Sequence, residues 1–168
     1  MVTAIDAARF LISLDNEGKY FNKNLVRHNN ADFYEGNARL NKILHLAQNM
    51  YIGKTGEKLI SDDFYAYANG SVLLDVQENY SMLLGTKYKA SFIIDDYAMD
   101  YLHRVFEMLK DAPLNDLIDI DHEDPAWLEK QSSSNRKFEQ RMDSMKHAED
   151  YKSKYEAANF YLDKMVVA

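Results

Sequence analysis

The chain has 168 residues, a formal net charge of −7 and no cysteine. That length suits one hydrophobic core. The acidic balance argues against broad binding of nucleic acid or anionic membranes, and the missing thiols exclude disulfides, zinc–cysteine sites and a cysteine nucleophile. A composition 46% hydrophobic and 28% charged, with only 6 Gly and 2 Pro, predicts a mainly α, compact helical domain. No apolar run approaches the ~20 residues that cross a bilayer. The first residues have neither the basic nor the long apolar region of a signal peptide, so the expectation is a cytoplasmic protein.

In chain order, residues 3–14 read as a first helix, capped by Thr3, with Asp6 in its first turn and Ile5, Ala8, Leu11 and Ile12 along its apolar stripe. Residues 19–35 are rich in Asn and lack a period, so they read as a loop. Residues 37–52 carry the strongest helical pattern, with Leu40, Ile43, Leu44, Ala47 and Tyr51 on one side and Gly53 and Gly56 at its end. The stretch 58–70 reads either as a strand and turn or as a short helix begun at Ser61. Asn69-Gly70 is the turn signal, and the fold leaves room for one small β-hairpin between 58 and 72.

Residues 72–84 and 96–110 read as further helices, the second capped by Asp95 or Asp96. Pro113 begins a shorter one, which ends at the turn Asp121-His122-Glu123-Asp124-Pro125 because Pro125 disfavours helix at Asp124. Gln131 to Asn135 is linker-like. Beyond it Phe138, Met142, Met145, Ala148, Tyr151, Tyr155, Ala158, Leu162 and Met165 recur every three or four residues, the pattern of one long C-terminal amphipathic helix. The expected organisation is a helical domain over 1–130 with a helical extension over 131–168.

Catalytic signatures are nearly absent: there is no P-loop, GxGxxG, HExxH or GxSxG, and Ser71 lacks the second Gly of a nucleophile elbow. The acidic run Asp116, Asp119, Asp121, His122, Glu123 and Asp124 fails as an EF-hand. In a loop begun at Asp119 the sixth position is Asp124 instead of Gly and the twelfth is Lys130 instead of Glu. His45, between Leu44 and Leu46, reads as a packed histidine. The residues therefore point to no catalytic, cofactor or metal site, and the expectation is a protein that is not an enzyme. The 12 Tyr suit protein interfaces as well as core edges.

Four segments in order resemble the Panacea domain of SocA-like antitoxins. These are Ala7, Phe10 and Leu11; then Leu40, Lys42, Ile43 and Leu44; then Leu59, Phe64, Ala66, Tyr67, Gly70 and Val72; and last His122, Pro125 and Trp127. Where the family pattern has Gly-Pro this chain has Gly70-Ser71, and His45 replaces a common Tyr. The resemblance implies a mostly helical, non-enzymatic, phage-associated or toxin–antitoxin protein. Its partner would be a protein, a cognate toxin that is neutralised or delivered to a ClpXP-type protease, with no nucleic acid or membrane. It makes Leu40, Lys42, Leu44, Phe64, Tyr67, Gly70, His122, Pro125 and Trp127 structural or partner-binding residues. The competing reading is an anti-defence inhibitor whose acidic surface blocks a nucleic-acid-binding host protein, and a hydrolase built on His122 is the third. In the extension, Met142, Met145, Tyr151, Tyr155 and Leu162 suit either completion of the core or an adaptable partner surface, with residues 132–135 as a hinge.

Overall fold

The computed structural model describes residues 1–131 and 140–167. Helix α1 (Ala4–Leu14) is followed by a hairpin of β1 (Leu25–His28) and β2 (Ala31–Tyr34), and then by α2 (Glu35–Thr55). A second hairpin, β3 (Tyr65–Tyr67) and β4 (Gly70–Val72), leads to α3 (Leu74–Gly85), α4 (Asp96–Leu109), α5 (Leu114–Asp121) and α6 (Pro125–Gln131). A 3-10 turn (Ser144–His147), α7 (Ala148–Lys154) and α8 (Glu156–Lys164) complete the described chain. The mainly helical class is as expected, and the small hairpin falls within 58–72.

The axis is α2. Sequence periodicity predicts one apolar stripe, yet residues 39–50 are buried without interruption because other elements cover the helix on all sides. Its polar side chains are therefore desolvated and must find partners. Each one holds a neighbouring segment. Arg39 donates to the Lys110 and Ala112 carbonyls at the end of α4 (3.2 and 2.6 Å), and Asn41 accepts from the Leu73 N–H at 2.8 Å. Gln48 accepts from the Leu59 and Ile60 N–H groups and donates to the Ile60 carbonyl. The same strand-like stretch pairs with Val2, which joins the N-terminus to the core.

Thr3 caps α1 through the Asp6 N–H, and Asp95 caps α4 through the Ala98 N–H, as their sequences predict. Gly56, left-handed at φ 77°, ends α2. Gly53 lies inside α2, where it crosses α7, and a Cβ there would collide with the Tyr151 backbone.

Three expectations are corrected. Residues 19–35 contain the β1–β2 hairpin. Its two-residue turn, Asn29 (φ 51°) and Asn30 (φ 63°), uses asparagine's tolerance of the left-handed region to match the strand twist. In the second hairpin Tyr67 pairs with Gly70, so the turn residues are Ala68 and Asn69, one position earlier than the Asn-Gly signal. The long C-terminal helix is not formed. Residues 140–142 instead run extended along β3, with the Ala66 N–H donating to Gln140 and the Met142 N–H to Phe64. The 3-10 turn and two short helices follow, and Tyr155 (φ −106°, ψ 13°) breaks α7 from α8. The three-and-four spacing survives the break because each short helix turns its own face inward. Phe138 and the hinge at 132–135 lie outside the described residues.

Candidate functional site

Helix α2 and the turn between α5 and α6 meet in a buried ionic cluster. Lys42 Nζ lies 3.2 Å from Asp121 Oδ2 and donates to the Ser71 carbonyl. His45 stands between two carboxylates, with Nε2 2.6 Å from Asp124 Oδ2 and Nδ1 3.3 Å from Asp121 Oδ1. All four ionisable side chains are at most 3% exposed. Ser71 donates to Asp121 through both its backbone N–H (2.7 Å) and its hydroxyl (2.6 Å). Asp124 receives Asn49 Nδ2 (2.9 Å), the Tyr151 hydroxyl (2.6 Å) and the Ala126 N–H (3.0 Å). That last bond makes Asp124 the N-cap of α6, with Pro125 at its first position.

The charge states follow from these contacts. Burial works against both carboxylates, but His45, Lys42 and the Ser71 donors hold Asp121 below its ordinary range. The His45 hydrogen bond and charge, with Tyr151 and Asn49, hold Asp124 down at about 2. Burial and the Asp124 charge push the Tyr151 phenol upward, so it stays protonated as a donor.

Lys42 also lines a groove of about 630 Å³. One wall is β2 at residues 31–33, the other is the second hairpin at 65–70, and Asn37, Ala38 and Asn41 of α2 form the floor. The two hairpin tips are tied together. Asn69 Oδ1 accepts from His28 Nδ1 (2.8 Å) and Asn29 Nδ2 (2.9 Å), and Asn69 Nδ2 donates to the His28 carbonyl. The groove thus combines aromatic Phe33, Tyr65 and Tyr67 with carboxamides, the mixture that suits protein recognition.

The motif residues singled out in the sequence converge here. Leu40 and Leu44 are core. Lys42 enters the cluster, and the Phe64 ring packs edge-on against His45 at 5.4 Å. Gly70 (φ 121°) lies so close to Asp121 that a Cβ would strike the carboxylate. Trp127 is buried, donates its Nε1 proton to the Tyr67 carbonyl at 2.9 Å and stacks on the His122 ring at 4.2 Å. Tyr67 is 44% exposed. His122 closes the turn through its backbone N–H to Ile118, while its ring Nε2 has no partner among the described residues, and burial lowers its pKa. Of the extension, Met142, Tyr151, Tyr155 and Leu162 belong to the core and Met145 is exposed.

Sequence reasoning missed the cluster itself. Asp121 and Asp124 turn inward, whereas Asp119 and Glu123 of the same acidic run face solvent. Asp-Pro at a helix start was the local signal for Asp124. His45 gave no local signal, because its partner is 79 positions away. Among the described residues no three His or carboxylate side chains are arranged to hold a metal, and no helix is long and apolar enough to cross a membrane.

The family model of the antitoxin SocA-like Panacea domain matches residues 40–128. The chain belongs to this family. Neither the curated proteins nor the solved structures contained a match. The Panacea region spans most of α2, the second hairpin and α3 to α6, and it carries all nine motif residues from Leu40 to Trp127. It also holds every member of the ionic cluster except Tyr151, which the extension supplies.

Proposed function

We propose that this Panacea protein is a non-catalytic antitoxin that binds a partner toxin, with the groove between the two hairpins as its recognition face. The observation that carries the reading is the family match together with the presence of three motif residues, Lys42, Tyr67 and Gly70, in the lining of that one groove. The ionic cluster supports a structural role for the buried charges, since both carboxylates are spent on internal donors and none is presented to a substrate. The net charge of −7 favours a basic partner by raising the association rate. Delivery to a ClpXP-type protease and inhibition of a host nucleic-acid-binding protein would each begin with the same protein contact. In this reading the protein acts in the cytoplasm, and residues 131–168 support the binding domain over 1–130.

The test is co-expression with the product of the adjacent reading frame. The wild-type chain is expected to restore growth and to co-purify with the toxin. Ala31→Arg and Ala68→Arg, at exposed groove positions, are expected to keep the circular dichroism spectrum and lose both effects. Full rescue by both variants would move the recognition face elsewhere, and a non-toxic neighbour that does not bind would end the antitoxin reading.

A further inference from the structure

We infer that His45 is a buried imidazolium, protonated on both ring nitrogens at neutral pH, and that its charge is the pin holding the α5–α6 turn and the C-terminal segment on α2. The geometry favours it. A neutral imidazole has one N–H and one lone pair. Its Nε2 is 2.6 Å from a carboxylate oxygen of Asp124, and its Nδ1 is 3.3 Å from one of Asp121. Nε2 carries the proton of the short bond to Asp124. Nδ1 meets Asp121 Oδ1 outside hydrogen-bond geometry. If bare, it would set its lone pair beside that carboxylate inside the core, where no water can screen the repulsion, and leave two carboxylates facing Lys42 alone. A proton placed on a carboxylate instead would neutralise an acceptor that other buried donors already use. Asp121 Oδ2 already accepts from Lys42 and the Ser71 N–H, and its Oδ1 from the Ser71 hydroxyl. Asp124 accepts from Asn49, Tyr151 and the Ala126 N–H besides His45.

Lys42 and Asn49 face the ring from α2, Ser71 from β4, Asp121 from α5 and Asp124 from the turn, Phe64 packs on its edge, and Tyr151 reaches Asp124 from α7. Tyr155 and His122 lie further out and act on the carboxylates through space. The total is two cations against two anions. Burial opposes the His45 charge, but Asp121 and the Asp124 hydrogen bond outweigh burial and the opposing Lys42, so the pKa lies above 6.5. A raised histidine pKa stabilises the fold fully below the unfolded value of about 6.5 and loses that stability as pH rises through the folded value. The pin is therefore complete in mildly acidic solution and is lost as pH rises through the raised value. Failure leaves two buried carboxylates facing one lysine and releases Asp124, which holds α6 through Ala126 and α7 through Tyr151.

The test is long-range ¹H–¹⁵N NMR of the full chain, with the five histidine rings assigned from their backbone correlations, alongside denaturant unfolding from pH 6 to pH 10. The expected result is that His45 keeps two protonated nitrogens at pH 7, where a free imidazole is mostly neutral, and that the unfolding midpoint falls as that ring titrates. A singly protonated His45 at pH 7 would overturn the assignment. A doubly protonated ring whose titration leaves the midpoint unmoved would overturn its role as the pin.

Discussion

Asp124 gathers more of the fold than any other side chain in the cluster, taking donors from α2, from α7 and from the first turn of α6. Asp124→Asn keeps the shape, removes the charge and turns an amide N–H toward one of these donors. Breaking a buried charge pair from one side costs about 3–5 kcal/mol, so this variant is expected to unfold at a much lower denaturant concentration. Tyr151→Phe removes one hydrogen bond to a charged acceptor and is expected to cost about 1.5–3 kcal/mol. Urea titration of both variants checks the order, and a Tyr151→Phe loss equal to that of Asp124→Asn would contradict it. The acid limb follows from the same residue. Its pKa is depressed from an ordinary carboxylate value to about 2, so its stabilisation is complete above pH ~4 and is lost as pH falls toward 2. The wild-type unfolding midpoint should drop across that window, and the Asp124→Asn midpoint should drop less. Local patterning held a signal for part of this, since Asp-Pro marks a helix start, but the turn reads from sequence only as the end of the preceding helix. Patterning could not give His45, whose neighbours in sequence are leucines and whose charge partners lie on another helix. Two of the chain's departures from the family pattern, His45 and Ser71, belong to this cluster.

At the scale of elements, α1 and α4 were legible because their caps and stripes are local. The extent of burial of α2 was not, because no single sequence window shows that other elements surround it. The first hairpin was obscured by its Asn-Asn turn, which lacks the glycine that usually marks a left-handed pair. A two-stranded ribbon alone is marginally stable in water, so β1–β2 depends on the bridge from its tip to Asn69. Asn69→Ala removes three hydrogen bonds between the tips. At the half-exposed tips these total roughly 1–2 kcal/mol, less than three buried bonds would. Amide exchange is expected to accelerate in β1 and β2 and to stay unchanged in α2. Equal acceleration in both would mean that the tips carry global stability, and none at all would mean that the bridge is incidental.

For the whole molecule the decisive segment is the one outside the family match. Residues 140–142 cover the edge of β3, Tyr151 reaches Asp124, and Asn159 joins Tyr101 to the Met50 carbonyl. Arg104 holds the end of α8 through the Leu162 and Met165 carbonyls. Removing this segment would bare the α2 surface around Gly53 and leave Asp124 short of a donor. It would also expose the core contacts of Met142, Tyr155 and Leu162, each of whose large apolar side chains contributes roughly 1.5–3 kcal/mol by burial. A domain of this kind has a total stability of only about 5–15 kcal/mol, so the losses together approach the whole. A chain truncated after Gln131 is expected to lose its cooperative unfolding transition, although short helices persist in its circular dichroism. The control is the opposite face of α8, where Phe160 and Tyr161 are exposed. Phe160→Ser and Tyr161→Ser should leave stability within about 0.5 kcal/mol. A truncated chain that unfolds cooperatively at the wild-type midpoint would show that the domain over 1–130 stands without the extension, and that the burial of Tyr151 and Leu162 contributes nothing to it.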